Sequence, residues 1–277
     1  MLLSLLMSLP ACGRTPVDWF ELVDELELED EDPVPRGCRK VDYLFVIDNS
    51  ASMGDNQQRL VDSFDVFIDG VQRSQASPQD VHLGVVTTDS YVAATEGCNT
   101  LGALVTQTAG HNSSDAQCGP FTEGGNYMTK QDDLSVSFPC AAQVGTTGST
   151  VEYPLEALTS AVTKMQGPGE CNEGFIREDA LLVAVIVTDE DDPGPVEHRY
   201  EKLLDAKDGR EDNVVLVGLI NEPGTSCSLR GHAVEALWID ELIGMFSYGF
   251  VAPVCGDYGQ AFMQAVQVVE AACADEG

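Results

Sequence analysis

The stretch "LFVIDNSASMGDN", residues 44–56, decides the fold of this chain, because an apolar run ends there in three oxygen-bearing side chains. Together with the preceding residues "VDY" the run is continuous, which is typical of a strand covered on both faces. Asp48, Ser50 and Ser52 follow at every second position. Because ligands of open α/β sheets lie beyond the carboxyl ends of the strands, the loop leaving this strand can turn three oxygens toward one point.

The rest of the chain alternates between apolar runs and segments with helical periodicity. Strands are predicted over Val81–Thr88, Ala180–Asp192 and Asn213–Ile220, with an edge strand in "YGFVAPVC", which contains Pro253. Helices are predicted over Asp55–Val71, Glu152–Met165, Pro195–Ala206, His232–Gly244 and Gly259–Cys273. This alternation predicts an α/β fold with a doubly wound, mostly parallel central sheet and helices on both faces.

Residues 89–150 differ from this pattern, since they are rich in Gly, Ser, Thr and Asn and contain three cysteines. They are predicted to form a loop-rich, disulfide-bonded insertion with a short helix near Leu134–Ala142. Exposed loops carry binding functions more often than the elements they connect, so this insertion is the expected source of specificity.

The charge of the chain excludes some classes of partner. The sequence has 14 basic and 46 acidic residues among 277, a net charge of −32. Such a surface repels nucleic acid and anionic membrane surfaces, and it suits divalent cations and basic partners. Most of these acids are interpreted as solvated groups that keep the protein soluble.

The first residues have the features of an export signal. Leu2–Leu9 is apolar but too short to span a bilayer. It precedes "LPAC", which resembles the lipobox of bacterial lipoproteins, although no Lys or Arg comes before the run and Pro10 is unusual there. We expect a signal peptide over residues 1–11, lipidation of Cys12 and a lipid-anchored location in the bacterial cell envelope, in the outer membrane or periplasm. A plain signal peptide and a disordered N-terminus are the alternatives.

A strongly acidic segment separates this signal from the remaining chain. Residues 18–32 carry nine acids and no base before a Pro-x-Pro sequence. They predict a self-repelling tether over residues 12–36, followed by one domain over residues 37–277. The alternative is a partner-binding helix whose apolar face contains Trp19, Phe20, Leu22, Val23, Leu26 and Leu28.

The cysteine pattern is also consistent with export. Eight cysteines remain when Cys12 is set aside, and an even number is typical of disulfides in an oxidising compartment. They are Cys38, Cys98, Cys118, Cys140, Cys171, Cys227, Cys255 and Cys273. No C-x-x-C spacing occurs, so a thiolate metal site is not expected.

The sequence "DNSAS" at residues 48–52 resembles the D-x-S-x-S motif of von Willebrand factor A (vWA) domains, which follows a hydrophobic first strand. The run "NEGFIREDALLVAVIVTDEDD", residues 172–192, is similar to a group of secreted bacterial vWA lipoproteins. The resemblance implies a Rossmann-like doubly wound sheet that carries a metal-ion-dependent adhesion site (MIDAS).

The resemblance also implies the ligand set of that site. Ser50 and Ser52 bind the metal directly, and Asp48 acts through water or hydrogen bonds. A threonine completes the site from "GTTGSTVEYPLEAL", where Thr146 is preferred to Thr147. Asp189 matches the last metal-side aspartate. The alternative for Asp48, Ser50 and Ser52 is simple capping of the following helix.

Oxygen ligands alone favour Mg²⁺ or Mn²⁺ over zinc, and Ca²⁺ is less expected because no x-D-x-D-x-D-G loop is present. Asp89 and Glu152 could extend the site, whereas Glu190 and Asp192 are interpreted as a solvated acidic rim. We expect a monomeric binding protein, not an enzyme, whose metal holds a carboxylate of a partner protein. A metal-dependent hydrolase and a structural lipoprotein with an idle site are the alternatives; no G-x-S-x-G, P-loop or H-E-x-x-H occurs.

Some vWA domains join their two ends by a disulfide, and this resemblance implies a Cys38–Cys273 pair. Cys98–Cys118 and Cys227–Cys255 are expected less firmly, and Cys140–Cys171 follows by exclusion. Eight cysteines allow about 105 pairings, so the sequence alone leaves the set open.

Overall fold

The centre of the structure, a computed structural model, is a six-stranded sheet with the order β3-β2-β1-β4-β5-β6. The strands are β1 (Lys40–Ile47), β2 (Asp80–Thr87), β3 (Met128–Thr129), β4 (Leu181–Val187), β5 (Val214–Ile220) and β6 (Tyr248–Pro253). Neighbouring strands are parallel except for β2 and β3. The predicted strands are confirmed, and the short β3 is an additional edge strand inside the segment predicted to be loop-rich.

The structure describes residues 39–74, 77–225, 227 and 234–275. The chain separates into two units, residues 1–33 and 34–277, and every described residue belongs to the second unit. The predicted signal peptide, Cys12, the acidic tether and Cys38 lie outside the described residues. None of the helices within the described ranges combines the length and apolarity that crossing a membrane requires.

Helices cover both faces of the sheet, as the doubly wound prediction requires. They are α1 (Gly54–Arg73), α2 (Leu134–Ala142), α3 (Pro154–Thr163), α4 (Val196–Asp205), α5 (Leu237–Gly244) and α6 (Tyr258–Asp275). One apolar core contains side chains of α1, α2 and α6, and the other contains side chains of α3, α4 and α5. Helix α5 begins later than predicted, because residues 234–236 are not helical and His232 lies outside the described residues.

The residues predicted to form an insertion contribute to the core of the sheet. Phe138, on α2, stacks on Phe64 with ring centroids 3.6 Å apart and meets the edge of Phe45 at 4.7 Å. Leu104, Val105 and Phe121 are buried as well. The short helix over Leu134–Ala142 is therefore confirmed, and the segment is packed into the fold rather than appended to it.

Three disulfides join described cysteines: Cys98–Cys171, Cys118–Cys140 and Cys227–Cys255. The predicted Cys227–Cys255 pair is confirmed, whereas the Cys98–Cys118 and Cys140–Cys171 pairs are wrong. Cys273 is also disulfide-bonded, but Cys38 lies outside the described residues, so the Cys38–Cys273 pair stays a prediction.

Two contacts explain the pairings that the sequence did not predict. Asn172 binds the backbone of Gly102 and Leu104, which brings its neighbour Cys171 beside the loop that carries Cys98. The hydroxyl of Ser114 donates to the carbonyl of Cys140 at 2.7 Å, which holds the end of α2 against the segment leading to Cys118. Both contacts join residues that are far apart in the sequence, so they could not be predicted from the spacing of the cysteines.

A buried charge network closes the amino edge of the sheet. The carboxylate of Asp42, at the start of β1, accepts hydrogen bonds from the Arg177 backbone N–H and Nε, both at 2.8 Å. The same guanidinium pairs with Asp80 at 2.7 Å. Lys207 is fully buried and donates to the Arg177 carbonyl at 2.6 Å, and burial lowers its pKa to about 8. Each buried charge at this edge therefore has a partner of opposite sign or a hydrogen bond.

Candidate metal centre

The D-x-S-x-S loop leaves β1 at the carboxyl edge of the sheet and meets Asp189 there. Ser50 Oγ lies 3.0 Å from Ser52 Oγ, and Ser52 Oγ donates to Asp189 Oδ1 at 3.0 Å. Asp48 is fully buried, and the exposed fractions of Ser50 and Asp189 are 4% and 9%. The structure thus brings together four of the five predicted metal-site residues.

Asp48 is held in place by the loop and by the neighbouring strand end. Its Oδ1 accepts a hydrogen bond from the Ser50 backbone N–H at 2.7 Å, and its Oδ2 accepts one from the Thr188 hydroxyl at 2.6 Å. Burial raises the pKa of Asp48 to about 6, although both hydrogen bonds oppose that rise. With one lone pair of each oxygen already engaged, Asp48 suits the indirect role that the vWA resemblance implies.

The capping alternative for these three residues is not supported. Helix α1 has Met53 at its N-cap, and no side chain forms a cap hydrogen bond there. The side-chain oxygens of Asp48, Ser50 and Ser52 bind one another, the Ser50 N–H, Thr188 and Asp189, and none of these contacts caps the first turn of α1.

Gln57, which no motif in the sequence indicated, joins the D-x-S-x-S loop to the loop before α3. Its Nε2 donates to the carbonyls of Asp48 and Gly145, both at 2.8 Å, and its Oε1 accepts from the Gly145 N–H at 3.1 Å. Gly145 has φ +88°, a conformation that glycine adopts without strain. The sequence did contain one indication of this role: Gln57 lies on the same face of α1 as the apolar residues Leu60 and Phe64, where a polar side chain needs hydrogen-bond partners.

Thr146 lies on the loop that Gln57 holds, but its hydroxyl contacts the segment predicted to be an insertion. Thr146 Oγ1 accepts a hydrogen bond from Asn112 Nδ2 at 3.2 Å and lies 3.3 Å from His111 Nδ1. Thr147 is exposed. Within the described ranges, the hydrogen bonds of Ser50 and Ser52 include none to either threonine.

The two loops also touch through Asn49 and Gly148. The Gly148 N–H donates to the Asn49 carbonyl at 2.9 Å, and a Cβ on Gly148 would lie 2.4 Å from Asn49 Cγ. The side chain of Asn49 is buried and donates to Asp89 Oδ1 at 3.1 Å. Its Oδ1 has no hydrogen-bond partner among the described residues.

Glu152 places a further buried carboxylate at this edge. Its side chain is 2% exposed, and its Oε2 accepts a hydrogen bond from the Thr88 hydroxyl. Burial, and next the charge of Asp48, raise the pKa of Glu152 to about 8. Like Asn49 Oδ1, Glu152 Oε1 has no hydrogen-bond partner among the described residues.

Asp191 and Asp192, two of the acids after Asp189, have structural contacts, which corrects the prediction of a solvated rim for Asp192. Asp192 is 1% exposed, accepts hydrogen bonds from the Leu155 and Glu156 N–H groups at 3.0 Å, and pairs with Arg199 at 2.6 Å. It therefore caps α3 from a distant part of the chain. Asp191 similarly accepts from the Trp238 N–H at 3.1 Å near the start of α5, and Glu190 is partly exposed.

The donor set fits a hard divalent cation. Serine hydroxyls and carboxylates supply oxygen alone, the ligand type of Mg²⁺ and Mn²⁺. In the part of the chain that the structure describes, no lysine or arginine pairs with Asp48, Asp189 or Glu152. Nor do the described residues contain a metal-type group of three or more His, Cys, Asp or Glu side chains, so the two serines are essential to this set.

Sheet order, helices on both faces and the loop after β1 define an α/β fold of the vWA-like class. No protein-family model matches the sequence, and no curated protein matches it. Three solved structures of proximal thread matrix protein 1 (PTMP1) from the mussel byssus are similar, with identities of 12%, 18% and 11% and TM-scores of 0.46, 0.45 and 0.46. One of them has a zinc-occupied MIDAS motif.

These similarities cover 83%, 85% and 83% of this chain but only 48%, 47% and 48% of the PTMP1 chains. The chain thus spans about half the length of the structures it matches. The vWA-like class of its fold follows from its own topology and from the position of the D-x-S-x-S loop.

Gln57→Leu is expected to lower the free energy of unfolding by about 3 kcal/mol, because it leaves buried backbone groups of Asp48 and Gly145 without partners. Gln58→Leu is the matched control: Gln58 is the exposed neighbour, and its substitution should cost about 0.5 kcal/mol or less. Urea unfolding of both variants measures the difference. Equal free energies of unfolding for the two variants would contradict the bridging role of Gln57.

Proposed function

We propose that this protein binds a divalent cation, Mg²⁺ or Mn²⁺, and uses the bound ion to hold a carboxylate of a partner protein. The observation that carries the proposal is the contact between Ser52 Oγ and Asp189 Oδ1, at 3.0 Å across 137 residues of sequence. This contact gathers hydroxyl and carboxylate oxygens at the sheet edge where ligands of α/β folds bind.

The net charge of −32 supports a role for the metal in recognition. Without a cation, the carboxylates of Asp48 and Asp189 repel any acidic group that approaches this edge. A divalent ion offsets this negative charge and offers open coordination positions to an oxygen ligand. Partner binding is therefore expected to depend on the metal.

We also propose that the protein is exported and anchored through a lipid on Cys12 in the bacterial cell envelope. The lipobox-like "LPAC" sequence supports the anchor. The disulfides Cys98–Cys171, Cys118–Cys140 and Cys227–Cys255 support an oxidising compartment. The acidic residues 12–36 would act as a tether between the lipid and the domain.

Addition of Mg²⁺ or Mn²⁺ at about 100 times Kd should raise the melting temperature of the protein by about 5–10 °C, and a chelator should reverse the change. The double variant Ser50→Ala, Ser52→Ala should lose this increase, since both hydroxyl ligands are removed. Ser135→Ala, which changes an exposed serine on α2, is the control. Differential scanning calorimetry measures the effect; a full metal response in the double variant would exclude the assigned site.

Immobilised protein should retain its partner from envelope extracts in Mg²⁺ and release it in a chelator. Blocking the carboxyl groups of the extract with a carbodiimide and an amine should abolish retention, because the partner then offers no anionic oxygen. The Ser50→Ala, Ser52→Ala variant serves as the matched bait. Retention that is identical with and without metal, or unaffected by carboxyl blocking, would contradict the proposed recognition.

Lipidation predicts that the full chain expressed in bacteria partitions into the detergent phase, and that Cys12→Ser moves it to the aqueous phase. Several acyl chains anchor a protein stably, whereas one chain anchors it marginally. Phase partition followed by mass spectrometry of the N-terminal peptide measures both the location and the modification. An aqueous wild-type protein with an unmodified Cys12 would rule out the anchor.

A further inference from the structure

Glu152 is a buried residue with a carboxylate oxygen that is unpaired among the described residues, and these two features together are typical of a ligand-binding side chain. It lies two residues before α3, and its side chain is 2% exposed. The Thr88 hydroxyl satisfies Oε2, but within the described part of the chain Oε1 has no hydrogen-bond partner. Buried polar atoms are almost always paired, so an orphaned carboxylate oxygen indicates an ion or water at this position.

The sheet places Glu152 beside the D-x-S-x-S loop. The Tyr153 N–H donates to the Thr88 carbonyl at 2.8 Å, which fixes the chain around Glu152 to the end of β2. Thr87 is paired in register with Ile47, so Thr88 and Asp48 are adjacent at the sheet edge, where strands lie about 4.8 Å apart. Glu152, bound to Thr88, is therefore a close neighbour of Asp48, whose charge acts on it.

Two neighbouring buried carboxyl groups are both ionised only when a positive counter-charge lies beside them. The ion pairs formed by the described lysines and arginines include none to Glu152 or Asp48. The carboxylate of Asp192, by contrast, is paired with Arg199 at 2.6 Å. A divalent cation between the loops would supply the charge that the protein does not.

We propose that Glu152 is a metal ligand and takes, from the loop before α3, the position that the vWA resemblance assigns to Thr146. Thr146 Oγ1 is already engaged by Asn112 at 3.2 Å and lies near His111, whereas Glu152 Oε1 is unengaged within the described residues. The proposal rests on the metal site of the proposed function. It changes the chemistry of that site, since Glu152 adds a third negative charge to those of Asp48 and Asp189.

A third carboxylate has a consequence for the partner. Three carboxylates hold the ion more tightly before any partner arrives, and their three negative charges exceed the two positive charges of the ion. A lone carboxylate would then gain little from the ion. The expected ligand is a carboxylate flanked by basic residues, which also complements the acidic surface of this protein.

Isothermal titration of the wild-type full chain with Mn²⁺ tests the assignment against two comparison variants. Glu152→Gln should lower the affinity for Mn²⁺ by about tenfold or more. Glu156→Gln removes the same charge four residues along the chain, from a partly exposed position, and should change the affinity by less than about threefold. Thr146→Val should also keep the affinity for Mn²⁺ within about threefold of the wild-type value, because the Thr146 hydroxyl binds Asn112 rather than the ion.

Melting temperatures without metal separate a ligand from a structural residue. If Glu152 is a ligand, the Glu152→Gln variant has the same melting temperature as the wild type without metal. It also lacks the increase in melting temperature that Mn²⁺ produces in the wild type. A lower metal-free melting temperature with an unchanged metal increase would overturn the proposal, as would a loss of affinity in Thr146→Val alone. A wild-type protein that binds no metal would overturn both the proposed function and the role of Glu152. Wild-type binding that Glu152→Gln leaves intact would overturn the role of Glu152 only.

Discussion

The parallel pairing of β1 with both β2 and β4 is the constraint on which the site depends. Ile47 is opposite Thr87 on one side and Val187 on the other, so all three strands end at one level. Asp48 follows Ile47 directly and lies between the residues that continue those strands, Thr88 and Thr188. Since β1 is central in the sheet, the carboxylate of Asp48, which follows it, is buried, and the Ser50 N–H and the Thr188 hydroxyl donate hydrogen bonds to it.

The two edges of the sheet differ in how their buried charged side chains are paired. At the amino edge, Asp42 is matched by Arg177, and Lys207 donates to a carbonyl, so the network is complete within the protein. At the carboxyl edge, Asp48 and Glu152 are buried with hydroxyl donors but without a cationic side chain among the described residues. Removing a partner from a buried ion pair is strongly destabilising, so proteins rarely leave such charge unmatched. The unmatched edge is thus the part of the fold that fits a cation.

The sequence was sufficient to predict the features that depend on neighbouring residues or on a recognisable motif. Apolar runs predicted β1 and β4, and the spacing of Asp48, Ser50 and Ser52 together with Asp189 predicted a group that the structure does bring together. Contacts between distant residues that belong to no recognisable motif were not predictable. Gln57 binds Gly145 across 88 residues, and Thr88 binds Glu152 across 64. The burial of Asp192 and the disulfide partners of Cys98 and Cys140 depend equally on how loops cross.

The segment over residues 89–150 connects the aromatic core to the metal centre. Phe138 is fixed between Phe45 and Phe64, and the Cys118–Cys140 disulfide attaches the preceding loop to the same helix. That loop continues from residues 111–112, which engage the hydroxyl of Thr146. The loop before α3 is therefore fixed at Thr146 by the segment around Asn112 and at Tyr153 by the end of β2. Between these two contacts the buried oxygen-bearing side chain is Glu152, so the packing of this segment fixes the position of the proposed ligand.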